Sequence, residues 1–393
     1  MPRAKNASFA TPSTHQSAAT AGTTSVAVIG AGMSGVTCAR TLAQAGYSVT
    51  LFDKSRGVGG RMSTRQSAFG NFDHGTQYFT VRDPRFTQAL ATTPAAAKRW
   101  SANTVRVLDD TGHVLSTNNR TSDSHWVGAP GMNGLLKAWA SPLADNSIAG
   151  SQVHLQSRVT LLNKQEGQWT LNIEVSDGEH TSTAQASGFD QVVLAIPSDQ
   201  AQTLLRDSAL MPTWQTQLGD VVVDPCWTLM LAYPKASQPG LAHLGPQWNV
   251  ARSTHHRISW MARESSKPGR TSIERWTVQA NPEWSREHIN DAPERVVAKL
   301  IKAFAEVTGI RVEPGHAVAH RWLYAQTRTP LGSSHLFDKR QGLGLCGDWC
   351  LGNRVENAFV SGLELALDMV QPAKAVSPAK AVKAKKPAKP ATS

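Results

Sequence analysis

The segment Val26–Gly35, VAVIGAGMSG, indicates the fold class of this chain. It places Gly30, Gly32 and Gly35 in a G-x-G-x-x-G pattern directly after the apolar, β-branched run Ser25–Ile29. In such a turn the first glycine permits a tight bend. The second lets the backbone approach a pyrophosphate, and the third lets helix and strand pack closely. The helix that follows offers its free N–H groups to phosphates.

The residues after this turn complete a βαβ unit. Val36, Ala39, Leu42 and Ala43 place small apolar groups on one helical face, Gly46 ends the helix, and Ser48–Phe52 returns as a parallel strand. Asp53 closes that strand, where its carboxylate can accept hydrogen bonds from ribose hydroxyls and disfavours a 2′-phosphate. The pattern predicts a bound dinucleotide and by itself leaves NAD and FAD open.

Two further segments favour FAD. The loop DKSRGVGGRMST carries Gly57, Gly59, Gly60 and Arg61; its glycines can pass close to a pyrophosphate, which Arg61 can neutralise. Near the other end, GLGLCGDWCLGNRVENAFVSG (Gly342–Gly362) resembles the second FAD fingerprint of amine-oxidase-like flavoproteins. The resemblance implies that Asp348 binds a ribityl hydroxyl. It also implies that the helix starting near Val355 directs its positive end at the flavin and stabilises the anionic reduced form.

Finer matches resemble the renalase-like oxidases over about residues 25–370. The segments that carry this resemblance are DHGTQYFT (Asp73–Thr80), WVGAPGMNGLLKAWA (Trp126–Ala140), DPCWTLML (Asp224–Leu231), SSKPGR (Ser265–Arg270), NPEWS (Asn281–Ser285) and HRWLYA (His320–Ala325). It implies that Ser34, Arg61, Gln77 and Tyr78 contact FAD. One departure is Thr76, where the family usually has Ala.

Together these arguments give a set of cofactor-binding positions, and we assign no catalytic residue. The residues predicted to bind FAD are Gly30, Gly32, Met33, Ser34, Gly35, Asp53, Lys54, Gly60, Arg61, Gln77, Tyr78, Val159, Asp348, Val355 and Glu356. Neither Cys346 nor Cys350 matches the position of a covalent cysteinyl-flavin, so noncovalent FAD is expected.

The predicted fold class is α/β: a Rossmann-type FAD-binding domain with an inserted, largely antiparallel-sheet substrate domain, similar to amine oxidases and p-hydroxybenzoate hydroxylase. We predict a disordered N-terminal arm over residues 1–24. Residues 25–80, 150–200 and 320–371 form the FAD-binding domain, and residues 81–149 and 201–319 form the substrate domain. Residues 84–140 are expected to mix helical pieces with loops, and a hairpin is expected from Val153–Leu162 and Gln168–Val175.

Charge is concentrated at the ends of the chain. The formal net charge is +11, but residues 372–393 hold six lysines and no acid, and residues 1–24 hold two basic residues and no acid, which leaves +3 for residues 25–371. The C-terminal Lys/Ala/Pro tail cannot form a core and is predicted to be disordered and solvated. Nucleic acid could be bound only through this tail. No apolar run approaches the ~18–20 residues of a membrane span, and four scattered cysteines suit reduced thiols in the cytoplasm.

Several other residues carry two interpretations each. His255, His256 and His316 fit no zinc spacing and are expected to be surface or hydrogen-bonding histidines. His74 is expected to orient its loop rather than to act as a base. The tryptophans of the family-like motifs could line the substrate pocket or pack in the core, and four cations could bind substrate phosphates or be exposed solubilising charge. The tryptophans are Trp126, Trp284 and Trp322, and the cations are Arg252, Arg257, Lys267 and Arg270.

The renalase resemblance implies oxidation of 2- or 6-dihydro isomers of NAD(P), with hydride transfer to flavin N5 and reoxidation by O2 to H2O2. Aromatisation of the dihydropyridine drives such a step, so a general base is not required and no acid–base dyad is expected. The alternatives are an amine oxidase of the same fold, which would select a neutral amine often between aromatic rings, and a non-catalytic flavin-bound or nucleic-acid-associated protein that uses the basic tail.

Overall fold

The computed structural model of the chain describes residues 23–102, 105–118, 124–148, 150–236 and 248–371. Apart from Thr23 and Thr24, the predicted N-terminal arm (1–24) and the predicted tail (372–393) lie outside the described residues.

The strands are short in the nucleotide-binding region and long in the middle of the chain. They are β1 Ser25–Ile29, β2 Ser48–Phe52, β3 Arg65–Ser67, β4 Gly70–Phe72, β5 Ala97–Trp100, β6 Val105–Leu108, β7 Val114–Asn118, β8 His125–Gly128, β9 Gln152–His154, β10 Ser157–Gln165, β11 Gln168–Ser176, β12 Thr181–Phe189, β13 Gln191–Leu194, β14 Val222–Tyr233, β15 Val250–Ser253, β16 Ile258–Arg263, β17 Glu274–Ala280, β18 His316–Thr329, β19 Leu336–Asp338 and β20 Leu343–Leu345.

The helices flank these sheets. They are α1 Met33–Gln44, α2 Pro84–Ala91, α3 Gly134–Ala144, α4 Ser198–Asp207, α5 Pro212–Gly219, α6 Pro282–Glu287, α7 Pro293–Thr308 and α8 Val355–Val370. Single 3₁₀ turns occur at Gly60–Met62, Glu264–Ser266 and Asp348–Cys350.

A six-stranded sheet in the order β19-β20-β13-β1-β2-β9 forms the Rossmann-type part. β1 pairs in parallel with β2 on one side and β13 on the other, and β13 pairs in parallel with β20. The strands are buried on both faces, which explains why Val26–Ile29 reads as a continuous apolar run. Because the carboxyl ends of parallel strands meet at one edge, Gly30, Asp53 and Gly347 are brought together although they are far apart in sequence.

The predicted hairpin is present, but its first predicted strand is divided into two strands, β9 and β10. β10 pairs with β11, and β12 adds to β11 to complete a three-stranded antiparallel sheet. The segment before β10 is split from it: β9 pairs in parallel with β2 instead. The break falls at Gln156, whose backbone is left-handed at φ 54° and so cannot continue an extended strand.

A seven-stranded sheet in the order β18-β14-β17-β16-β15-β6-β7 forms the second part. Its pairs are antiparallel except for β15 with β6. α7 covers it with Leu300 and Phe304, which pack against Trp276 in a buried core. The predicted fold class, a Rossmann-type domain with an added and largely antiparallel sheet, is confirmed.

The prediction for residues 84–140 was incomplete. This stretch contains α2 and α3, but it also contains strands, of which β5 pairs with β8 and β6 joins the seven-stranded sheet. These strands are four or five residues long and contain charged residues such as Lys98, Arg99 and Arg106, so their alternation is too brief to detect. Among the described residues, no helix is long and apolar enough to span a membrane.

Candidate functional site

The three glycines of the first motif differ in what surrounds them. Gly30 has φ +108°, and a Cβ there would lie 2.4 Å from the carbonyl oxygen of Ala195. A Cβ on Gly35 would lie 1.8 Å from the carbonyl oxygen of Gly30, so this glycine permits the contact of helix α1 with its strand. A Cβ on Gly32 would meet nothing within 4 Å and would project into open space. That space is where a phosphate could approach the backbone.

Helix α1 begins at this open space without a capping side chain. Gly32 is its N-cap and contributes no side-chain hydrogen bond, so the first turn, which holds the predicted residues Met33 and Ser34, offers N–H groups and a positive dipole end. Asp53 faces the same turn, where its Oδ2 accepts a hydrogen bond from Ala31 N at 2.6 Å. The neighbouring Lys54 lies beside it, and burial lowers the pKa of Lys54.

The two glycine-rich segments meet through one ion pair. Arg61 donates to both carboxylate oxygens of Asp348, with Nη1 to Oδ2 at 2.8 Å, and its Nη1 also lies 3.2 Å from the carbonyl oxygen of Ala325. Gly60 has φ +53° and packs its Cα side against Gly32. The structure therefore brings Arg61, predicted to face a pyrophosphate, and Asp348, predicted to face a ribityl chain, into direct contact.

The predicted residues of the Asp73–Thr80 segment form another part of the wall. Gln77 donates from Nε2 to the carbonyl oxygens of Asp73 and Gly75, and its Oε1 accepts from Lys267 Nζ at 3.2 Å. The ring of Tyr78 lies 4.1 Å from the ring of His125 and is stacked 5.6 Å from that of Trp260, measured between centroids.

A single cavity of about 2220 Å³ joins these features. Thirteen of the fifteen predicted residues line it, including Val159 on β10 and Val355 at the start of α8. Gly35 lies behind the turn. Glu356 points elsewhere, because its Oε1 accepts hydrogen bonds from the backbone N–H groups of Arg82 and Asp83 at 2.5 and 2.7 Å. In this structure Glu356 therefore anchors a loop rather than lining the cavity.

The wall of this cavity is strongly basic. Among the described residues that line it, ten are basic and three are acidic. The basic residues are Lys54, Arg56, Arg61, Arg65, Arg82, Lys137, Arg158, Arg252, Arg321 and Arg354, and the acidic residues are Asp53, Asp207 and Asp348. Low-dielectric walls lined by one sign of charge focus the electrostatic potential, so this cavity attracts anions.

Two aromatic groups face the cavity. One consists of Tyr78, His125 and Trp260, with the guanidinium of Arg252 5.7 Å from the Trp260 ring. The other consists of His74, His320 and Trp322, with centroids 4.6–5.0 Å apart. Sequence reasoning missed Trp260, His125 and His320, although the segment HRWLYA contains His320.

The three tryptophans of the family-like motifs have different surroundings. Trp322 lines the cavity. Trp284 is buried in the core under the seven-stranded sheet and stacks on His288, and Trp126 packs under Arg99 next to β5. The pocket interpretation therefore holds for one of them.

Four cations were expected either to bind substrate phosphates or to be exposed solubilising charge. For Lys267 and Arg270 both interpretations were wrong. Lys267 and Arg270 have side chains 0% and 1% exposed and do not line the cavity. Lys267 Nζ lies 3.1 Å from Asp73 Oδ2 and 2.8 Å from Glu264 Oε1, and Arg270 Nη2 lies 2.6 Å from Asp73 Oδ2. Burial of the carboxylates requires this pairing, which fixes the Asp73–Thr80 segment to the seven-stranded sheet.

The histidines and cysteines have mainly structural partners. His255 Nε2 lies 3.1 Å from Glu306 Oε2, and His316 stacks on Phe72. Among the described residues there is no cluster of three or more His, Cys, Asp or Glu that could hold a metal ion. All four cysteines are free and buried, and burial raises the pKa of Cys226 to about 12.

Comparison with known proteins agrees with this geometry. Residues 28–93 match the family of NAD(P)-binding Rossmann-like domains. Residues 114–370 match the flavin containing amine oxidoreductases. The fold and the turn thus define a dinucleotide-binding oxidoreductase. The chain belongs to the flavin containing amine oxidoreductase family, which implies a flavin cofactor.

Individual proteins are similar at lower levels. A 4,4'-diapophytoene desaturase (4,4'-diaponeurosporene-forming) of Staphylococcus haemolyticus (strain JCSC1435) is 43% identical over 58 residues, which are 15% of this chain and 12% of the desaturase. A protein assigned as a protoporphyrinogen oxidase from Exiguobacterium sp. 255-15 superposes with a TM-score of 0.67 at 12% identity, over 89% of this chain and 99% of that one. Cyclohexylamine oxidase from Brevibacterium oxydans IH-35A gives 0.63 at 13% identity, over 89% and 99%. These structural likenesses show the fold alone.

The residues present fit a flavin dinucleotide. The open side of Gly32 and the uncapped start of α1 suit a pyrophosphate. Asp53 and Asp348 follow the carboxyl ends of two strands of the same sheet. Their carboxylates suit ribose and ribityl hydroxyls, respectively. The cavity is also large enough to leave room for a second ligand beside the cofactor.

Proposed function

We propose that this protein is a noncovalent FAD-dependent oxidase that acts on 2- or 6-dihydro isomers of NAD(P). FAD bound in the cavity would supply N5 as the acceptor of the substrate's hydride and would carry the electron pair to O2. With two protons taken up in all, the products would be H2O2 and NAD(P)+. The observation that carries the proposal is the basic wall of the cavity, with ten basic and three acidic residues. A dinucleotide substrate brings a second pyrophosphate into this cavity, which such a wall accommodates.

The two histidines beside Trp322, His74 and His320, are consistent with a reaction that needs no general base. Burial, the neighbouring His320 and the cation Arg65 lower the pKa of His74 to about 3. Burial and Arg65 lower the pKa of His320 to about 4. Both imidazoles are therefore neutral near pH 7, and within the described part of the chain neither is hydrogen-bonded to a carboxylate that would make it a stronger base.

The positions of the cysteines support noncovalent attachment. Cys346 and Cys350 do not line the cavity. Cys226 does line it, but its raised pKa of about 12 keeps the thiol protonated and unreactive near neutral pH.

An amine oxidase is the second candidate, favoured by the family and by the aromatic rings in the cavity. A substrate held between two rings needs a gap of about 7 Å, twice a van der Waals contact. The pairs Tyr78–Trp260 and His320–Trp322 are instead in direct contact, at 5.6 and 4.6 Å between centroids. The basic wall also opposes entry of a protonated amine.

Rapid anaerobic mixing tests the proposal. The purified, flavin-loaded protein is mixed with 2- and 6-dihydro-NAD, with ordinary NADH and with putrescine and cyclohexylamine, while flavin absorbance is followed. Fast bleaching by a dihydro isomer, but not by NADH or the amines, is the expected result. Bleaching by an amine alone would replace the proposal with the second candidate.

A matched pair of variants tests the charge argument. Arg252 lines the cavity over Trp260, whereas Arg99 lies over Trp126 outside it. Arg252→Gln should raise the isomer concentration for half-maximal bleaching by about tenfold, as loss of one charge-assisted contact does. Arg99→Gln should leave it unchanged.

A further inference from the structure

Two polar atoms in the cavity wall, His74 Nδ1 and Trp260 Nε1, are buried without a partner among the described residues. His74 is 6% exposed, and its Nδ1 has no hydrogen-bond partner among the described residues. A buried polar group of this kind is unfavourable and requires an explanation. His74 lines the cavity, so a ligand there can supply the missing partner.

The backbone around His74 is fixed by three contacts. Trp322 Nε1 donates to the carbonyl oxygen of His74 at 2.9 Å, and Gln279 Nε2 donates to that of Gly75 at 2.6 Å. Thr76 N donates to the carbonyl oxygen of Arg61 at 2.8 Å. These contacts hold the backbone in place, and the imidazole itself packs against the rings of His320 and Trp322.

The chemistry of the surroundings restricts what that partner is. The charged and titratable groups facing His74 are His320, Arg65 and Asp73. Burial, His320 and Arg65 lower the pKa of His74, and they outweigh Asp73 and the backbone at Phe72, which raise it, so the imidazole is neutral. A neutral Nδ1 is a donor or an acceptor according to the tautomer. A planar group that both donates and accepts suits it, and the rings of His320 and Trp322 provide flat apolar surface beside it.

We propose that His74, His320 and Trp322 form a subsite for the carboxamide-bearing pyridine ring of the dinucleotide, in which His74 Nδ1 forms a hydrogen bond with the carboxamide. This inference rests on the proposed dinucleotide substrate and adds the residue that recognises its ring. The uncharged subsite also avoids repulsion of the pyridinium that forms as hydride leaves. His74 is thus a specificity-determining residue, and no proton transfer is assigned to it.

The test measures binding of two oxidised dinucleotides to the flavin-loaded protein. NAD+ is compared with pyridine adenine dinucleotide, in which hydrogen replaces the carboxamide, by perturbation of flavin absorbance. The wild-type protein should bind NAD+ about tenfold more tightly, the effect of one buried hydrogen bond. His74→Leu should lose this preference, and His74→Asn, whose side-chain amide lies near the Nδ1 position, should keep most of it. His316→Asn, four residues before His320 and outside the cavity lining, is the control that should keep it fully.

The outcomes separate this inference from the proposed function. An unchanged preference in His74→Leu overturns the subsite and leaves the substrate proposal in place. A His74-dependent preference without bleaching by dihydro isomers supports the subsite and overturns the oxidase. If the wild-type protein shows no preference for NAD+ over pyridine adenine dinucleotide, the inference is overturned without any variant. The inference can therefore be tested even if His74→Leu does not retain flavin.

Discussion

The guanidinium of Arg61 and the carboxylate of Asp348 form a two-pronged ion pair between segments 287 residues apart in the chain. The side chain of Asp348 is only 7% exposed. Arg61 lies in the glycine-rich loop after β2, and Asp348 lies in the turn after β20. The ion pair therefore links the two glycine-containing motifs. We expect a flavin bound along this edge to contact both residues.

Asp348→Ala should therefore weaken flavin retention. The change removes an acceptor from the ribityl region and leaves Arg61 without its partner. Loss of a charge-assisted hydrogen bond corresponds to an affinity about tenfold to a hundredfold lower. Flavin content of the purified variant, read from its absorbance, measures this. Asp110→Ala, an exposed position outside the cavity lining, is the control. Full flavin content in Asp348→Ala would contradict the assignment.

Gly32→Val should abolish flavin binding without unfolding the protein. Gly32 has φ −78° and ψ −175°, an extended backbone that valine adopts readily, and its Cβ would meet nothing in the protein within 4 Å. The added methyl groups would instead occupy the space of the pyrophosphate. Circular dichroism and thermal melting without cofactor should match those of the wild-type apoprotein, while FAD titration shows no binding.

Gly35→Ala is the contrasting variant of the same motif. Its Cβ would lie 1.8 Å from the carbonyl oxygen of Gly30, so the helix must move away from its strand. We expect poor folding here rather than selective loss of flavin. If both variants folded and bound FAD normally, the turn would have only a structural role.

The nucleotide-binding turn could be predicted because its determinants are local. Gly30, Gly32, Gly35 and Asp53 fall within one βαβ unit, and the predicted bounds of β1 and β2 are those observed. The contact of Arg61 with Asp348 was within reach too, since parallel strands bring their carboxyl ends to one edge. Pattern and topology were sufficient for this half of the site.

The aromatic part of the cavity was predicted only at Tyr78 and Trp322, because it is assembled by tertiary packing. Tyr78, His125 and Trp260 come from a loop, from β8 and from β16, and no spacing relates them. Lys267 and Arg270 were assigned to the surface or to a ligand because cations are usually exposed. Their burial depends on Asp73, which lies almost 200 residues earlier.

Acid should destabilise the protein partly through His74. Its pKa is about 3 in the folded state and 6.5 unperturbed, so between these values the unfolded chain binds a proton that the folded protein does not. The free energy of unfolding therefore falls as pH drops below 6.5, by up to about 1.4 kcal/mol per pH unit. His74→Leu should flatten this dependence between about pH 6 and 4, measured by denaturant unfolding. His180→Leu, at an exposed position, should not.

Removal of residues 372–393 should leave flavin content and bleaching by dihydro isomers unchanged. The catalytic interpretation places the chemistry in the cavity, whose described lining residues lie between Ile29 and Ala358. Binding to single-stranded DNA at low salt should fall, because six lysines are lost. Loss of bleaching on truncation would favour instead a protein whose function depends on its tail.

The buried charges behind the cavity wall should be sensitive to the loss of one cation. Burial alone would raise the pKa of Asp73, but Lys267 and Arg270 beside it bring that pKa below its ordinary value, whereas burial raises the pKa of Glu264. Lys267→Met removes the ion-pair partner of the buried Glu264 and one of the two partners of Asp73, and it should destabilise the protein by about 3–5 kcal/mol. Adding Glu264→Gln removes the surplus negative charge and should recover part of this loss in denaturant unfolding. A double variant no more stable than Lys267→Met would show that Glu264 is already protonated in the folded protein.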